Sequence, residues 1–145
     1  MLVNTAVFGE MDIHEKNILH MPHGPFGFDE CKTFALLEQE DGGVVYRWLQ
    51  ATDSTNPCFV VFDPREIIAE YRPQVEAGDL RALGCRRISD LKFYVIAVVP
   101  DDFRKATVNL KSPIAVNPGT NAAMQVILAN ADYPIRFPLT DDTGE

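Results

Sequence analysis

The sequence predicts a mainly β fold, a small sandwich or barrel of about nine or ten short strands with one or two short helices. Three observations carry this. Residues 91–99, LKFYVIAVV, are rich in β-branched and aromatic side chains and stop at Pro100-Asp101-Asp102. In residues 107–117, TVNLKSPIAVN, the apolar Val108, Leu110, Ile114 and Val116 fall on even positions and Asn109, Lys111 and Asn117 on odd ones. That is the period-2 pattern of half-buried strands. Gly- and Pro-containing turn signals separate the apolar runs along the whole chain.

In chain order, residues 2–8 read as a first strand turned at Gly9-Glu10. Met11 and Ile13 belong to a short second strand, and Ile18, Leu19 and Met21 to a third that enters MPHGPFGFDE. With two prolines and two glycines in residues 22–27, that segment is an ordered but irregular loop. Phe26 and Phe28 are expected to anchor it by burying aromatic area. Residues 33–37 and 44–49 form strands joined by EQEDGG, whose Asp41-Gly42-Gly43 is a hairpin signal. Residues 59–62 are a compact buried run. Asp63-Pro64-Arg65-Glu66 then offers a helix cap, a proline at the first position and a glutamate three residues after the cap. A short helix, IIAEY, is expected before Pro73, and another turn or two of helix over residues 79–83 ahead of Gly84. Pro113 cannot donate to a ladder and should lie at an edge, a bulge or a turn. After Pro118-Gly119-Thr120-Asn121 come a run at residues 125–128 and a last strand near 135–139; the polar tail TDDTGE should fray.

Composition narrows the function. One domain, residues 1–145, is the natural count, long enough to bury a core. The net charge is −8, and residues 1–60 hold nine acids against three bases, so the acidity lies in the first half. This argues against direct binding to a phosphate backbone and for a basic protein partner, with plain solubility as the competing explanation. Cys31, Cys58 and Cys85 are odd in number and lack a CxxC pair, which fits a reducing compartment. The start shows no basic stretch followed by an apolar core, and the longest purely apolar runs are short, so no membrane span and a cytoplasmic location are expected.

The search for chemistry yields little. His14, His20 and His23, with Asp12 or Asp29, lack the tight ligand pairs of a zinc site. Cys58 is followed by Phe59, Val60 and Val61, the setting of an inert buried thiol. GPFGF lacks the Gly-Lys-Ser/Thr ending of a phosphate loop. Asp53, Asp63, Asp101 and Asp102 lie at turns, where capping explains them. No catalytic residue, cofactor or metal is expected. What remains is a protein-binding surface: Trp48 is the only tryptophan, a residue type enriched at interaction hot spots, and equally a core residue. An alternative reading is a small-molecule-binding or hydrolytic β barrel with a pocket near His20 and His23.

Four segments, in order, resemble the flagellar assembly factor FliW family: ILHMPHGPFGFDECKTFALL, WLQATDSTNPCFVVFDP, LKFYVIAVVP, and NLKSPIAVN with QVIL and YPIRFPL. Ser112 stands where that pattern often has alanine, Ala51 where it commonly has serine, and Trp48 where phenylalanine or isoleucine is frequent. The resemblance implies a small antiparallel β barrel without enzymatic activity. It further implies a protein that binds newly made flagellin and, when free, the translational regulator CsrA, lifting repression of flagellin translation. A free monomer suits such a titratable antagonist. The residues expected at the partner surface are Phe26, Asp29, Trp48, Gln50, Asp53 and Asp63.

Overall fold

A computed structural model describes residues 1–139; the tail expected to fray lies outside the described residues. Strands β1 (Leu2–Thr5) and β2 (Gly9–Asp12) form a separate antiparallel hairpin. The first strand stops at Thr5 rather than Phe8 because the Thr5 hydroxyl folds the chain back, donating to Gly9 O at 2.7 Å and accepting from Phe8 N at 2.9 Å. A 3-10 turn, Glu15–Asn17, leads into β3 (Ile18–His20). Strands β4 (Thr33–Asp41) and β5 (Val44–Ala51) make the longest hairpin, turning through Gly42 and Gly43, both at positive φ as the sequence signal requires. They run further than their apolar cores suggest, since backbone pairing continues through the polar residues from Glu38↔Arg47 to Asp41↔Val44.

Then follow β6 (Cys58–Phe62), helix α1 (Ala77–Ala82), β7 (Lys92–Val98), β8 (Thr107–Val108), β9 (Ile114–Asn117), β10 (Ala122–Gln125) and β11 (Phe137–Pro138). The order β7-β6-β5-β4-β3-β10-β9 closes on itself because β9 pairs back to β7, giving a seven-stranded barrel. Beyond it, β8 and β11 extend the sheet from the end of β7. One junction departs from the expected antiparallel pattern: β3 and β10 are parallel, meeting at His20↔Ala122. Asn121, at φ 63, seals that seam. Its side-chain amide donates to Lys16 O and Ile18 O, and its carbonyl accepts from His20 N.

Packing falls into three clusters. Inside the barrel lie Leu19, Phe34, Leu49, Val61, Tyr94, Ile114 and Val116. Under the β1–β2 hairpin, Val3 and Ile13 meet Ala35 and Leu37, the alternate residues of β4. On another outer face, Tyr71, Leu83 and Leu91 cover Phe93, Val95 and Ala115. Several strands are therefore buried on both faces, and simple alternation understates their burial.

Two expectations change here. The even-numbered residues of 107–117 are all buried, but they do not share a face: Val108 and Leu110 join the outer cluster, and Ile114 and Val116 the barrel interior. Between them Asn109 Oδ1 accepts from Lys111 N and Ser112 N, a turn that re-aims the chain, with Pro113 in the connection as anticipated. The helix expected at IIAEY is replaced by a 3-10 turn, Pro64–Glu66, capped by Asp63. Burial of Tyr71, whose hydroxyl donates to Leu110 O at 2.7 Å, pulls the chain off the helical path. The second expected helix forms as α1, two residues earlier at its start than anticipated.

Candidate partner surface

Residues 21–32 leave the barrel after β3 and return as β4, closed at the base by Met21 N donating to Lys32 O at 2.8 Å. Within the loop Gly24 N donates to Met21 O, Phe28 N to Pro25 O and Cys31 N to Phe28 O. The Lys32 ammonium crosses the base to Pro22 O at 2.8 Å and Asp29 O at 3.3 Å. Gly24 is obligatory: its φ is +65, and a Cβ there would lie 2.2 Å from Phe28 O. The loop is also tied to the barrel. Phe26 N donates to Gln125 Oε1 at 2.8 Å, and the Gln125 amide donates onward to Ser112 O at 2.9 Å.

The two aromatic residues then behave differently. Phe28 rests edge-on against Phe59, with centroids 5.3 Å apart, but its ring stays 39% exposed, so it touches the barrel without the burial expected of it. Phe26 is not buried either: its ring is 50% exposed while its backbone is held. It forms a ridge between two grooves. One, of about 460 Å³, is bordered by Pro22, His23, Asp29, Lys32 and Met124. The other, of about 330 Å³, is bordered by Phe59, Ile96, Val98, Ile135 and Arg136, with Val98 and Ile135 both more than 60% exposed. Apolar side chains held on a rigid frame lose little entropy when a partner covers them. Among the described residues no group of three or more His, Cys, Asp or Glu is placed to hold a metal. Of the histidines in the alternative reading, His23 borders a groove here and His20 does not.

The FliW protein family model matches residues 2–139. The chain belongs to the FliW family. It is 34% identical to the flagellar assembly factor FliW of Thermoanaerobacter pseudethanolicus over 142 residues, covering 98% of this chain and 95% of that one. Against FliW of Leptospira interrogans serovar Lai it is 36% identical over 143 residues, covering 98% and 95%. A crystal structure of the flagellar assembly factor FliW superposes with a TM-score of 0.86 at 31% identity, over 97% of this chain and 98% of that one. The family is one of flagellar assembly factors, not of enzymes. The small antiparallel barrel implied by the resemblance is the fold observed, apart from its one parallel junction.

The six residues expected at a partner surface of this FliW-family chain are dispersed. Phe26 and Asp29 share the loop, and Asp53 lies exposed on the connection after β5. That connection lies at the same end of the barrel, because the Thr52 hydroxyl contacts the Thr33 hydroxyl and Thr52 N donates to Thr33 O, where the loop rejoins β4. Asp63 is at the other end of β6, half-buried, its carboxylate accepting from Arg65 N. Trp48 is half-buried against Phe8, edge-on at 5.2 Å, beneath the β1–β2 hairpin. Gln50 is fully buried and acts as a clamp: its carbonyl accepts from Ala6 N at 2.8 Å and its amide donates to Ser54 O and Thr55 O. Any contribution of Gln50 to a partner surface is through the two loops it joins. Val98, Ile135 and Gln125 complete the grooves. The residues alone assigned them no partner role, because Val98 on β7, Gln125 on β10 and Ile135 just before β11 lie far from the loop in the chain and meet it only in the folded structure.

Proposed function

We propose that this FliW-family chain binds newly made flagellin in the cytoplasm. When flagellin is exported, the freed monomer captures the translational regulator CsrA and relieves repression of flagellin translation. The observation that carries the reading is Phe26, half-exposed at the crest of a loop hydrogen-bonded both internally and to Gln125. Such pre-organised aromatic area is what a protein partner buries most productively. The net charge of −8 suits CsrA, whose surface must be basic to hold RNA. Control then follows from linkage: flagellin tunes translation by lowering the concentration of free antagonist.

The test is calorimetric titration with flagellin monomer and, separately, with CsrA. Saturable binding to both is expected. Phe26→Ala should leave the melting temperature unchanged and weaken capture of flagellin by about thirtyfold, the effect of removing a hot-spot side chain. Asp29→Asn and Asp53→Asn should weaken CsrA capture in preference. Absence of heat with both partners at two temperatures would refute the proposal, and binding to flagellin alone would reduce it to a chaperone role.

A further inference from the structure

Building on the docking of flagellin at Phe26, we propose that the turn Asn109–Ser112 is the positioning element of the adjoining apolar groove, and that Asn109 is the residue that sets it. The groove then receives an apolar side chain of the docked flagellin segment. Its space of about 330 Å³ is walled by Phe26, Val98 and Ile135, all exposed. The three walls come from the loop, the end of β7 and the approach to β11, far apart in the chain. A groove assembled in this way favours a partner only if its walls are held in place before the partner arrives.

All three walls hang from one stretch, residues 107–112. Val98 is held by its pairing with Thr107, and Asn109 N donates to Ile96 O at 3.1 Å. Ile135 follows Pro134, whose carbonyl accepts from Leu110 N at 3.0 Å. Phe26 N donates to Gln125 Oε1, and Gln125 Nε2 donates to Ser112 O. Gln125 and Ser112 are both buried, where such bonds are strongest. One stretch can serve three neighbours because it is extruded from the sheet. Asn109 meets Ile96 and Ile114 pairs with Tyr94, so residues 110–113 stand opposite the single residue Val95. The Asn109 side chain shapes this extrusion, its Oδ1 accepting from Lys111 N at 3.1 Å and from Ser112 N at 2.9 Å. On the far side, Leu110 O is fastened to the Tyr71 hydroxyl and Lys111 Nζ to Asn130 O. Asn109 itself borders the groove. Loss of its two Oδ1 bonds therefore frees Ser112 and, through Gln125, Phe26, while removing no apolar area.

The experiment is a double-mutant cycle on the full chain, read by calorimetric titration with flagellin monomer. Asn109→Ala should weaken flagellin capture by about tenfold, the loss of two turn bonds and of the frame they fix. In the Phe26→Ala background the same change should cost less than about threefold, because it acts through Phe26. Asn109→Asp places an acceptor at the same point and should bind within about twofold of the parent. Equal losses in the two backgrounds, or the same loss for Asn109→Asp as for Asn109→Ala, would overturn the proposal. Native-state amide exchange of the unsubstituted chain decides the matter even if Asn109→Ala compromises folding. The Phe26 and Ser112 amides should open together with one free energy, and independent opening would also overturn it. Undiminished capture by Phe26→Ala would remove the docking site and this positioning role together. Weakened capture by Phe26→Ala with an inert Asn109→Ala would remove the positioning role alone.

Discussion

Tyr71 shows how much one side chain can do in this fold. It is buried, stacks on Tyr133 with centroids 4.8 Å apart, and donates its hydroxyl to Leu110 O at 2.7 Å. Burial first, and the neighbouring Tyr133 second, push its phenol above the ordinary tyrosine range, with Arg65 opposing. A folded pKa above the unfolded one means that folding favours the neutral phenol. That contribution is fully present below about pH 10, where the unfolded phenol ionises, and is lost as pH rises through the folded value. Tyr71→Phe should cost about 1–3 kcal/mol at neutral pH by leaving Leu110 O unpaired. It should also flatten the alkaline fall in stability. Urea unfolding of both proteins at neutral pH and above pH ~10 checks this; parallel pH profiles would show that Tyr71 is not the titrating group. Gly24 gives a second residue-scale test. Gly24→Ala drives a Cβ into Phe28 O, whereas Gly27→Ala, at φ +85, meets nothing within 4 Å. Gly27→Ala should therefore cost only the left-handed penalty of about 1–2 kcal/mol. Gly24→Ala should cost more and abolish partner capture with it, as thermal melts paired with the titrations above would reveal.

Among the elements, the β1–β2 hairpin and the connection after β5 are joined by a single amide. Gln50 reaches Ala6 on one side and Ser54 and Thr55 on the other. Gln50→Glu keeps the shape, removes the donors and buries a charge, so it should destabilise by about 3 kcal/mol or more. Trp48 emission should shift to the red in the variant as the hairpin loosens from Phe8; an unshifted spectrum with full stability would show that the hairpin docks without the clamp. This buried role was not legible in the sequence. A glutamine between Leu49 and Ala51 on an alternating strand reads as solvent-facing unless a second layer covers that face, and the covering hairpin lies more than forty residues away in the chain. The same cause hid the turn at Asn109, which sends Val108 and Leu110 to one cluster and Ile114 and Val116 to another. Local structure was legible where local signals suffice: the Gly42-Gly43 hairpin and β7 stand where the residues put them, and Asp63 does cap a turn, although the helix expected after it does not form. The Phe26 loop was legible as ordered and irregular. Its exposed crest was not, because whether a phenylalanine is buried under a loop or carried on it depends on Gln125, 99 positions away.

For the whole molecule, the unequal spread of charge separates the two proposed partnerships. Residues 1–60 carry a net −6 of the total −8, and Glu38, Glu40 and Asp41 stand exposed at the tip of the β4–β5 hairpin, with Asp53 exposed at the opposite end of β5. Exposed acids act at range in water and are screened by salt, so they govern encounter more than residence. Apolar area around Phe26, Val98 and Ile135 is insensitive to salt over the same range. Association with basic CsrA should accordingly slow by about tenfold between roughly 50 and 500 mM sodium chloride, while flagellin dissociation changes by less than about threefold. Stopped-flow or surface-based kinetics with each partner measures both quantities. The Asp29→Asn, Asp53→Asn double variant should shallow the CsrA slope and leave flagellin untouched. Equal salt slopes for the two partners would mean that one surface of mixed character serves both, and the division between an acidic approach and an apolar grip would have to be abandoned.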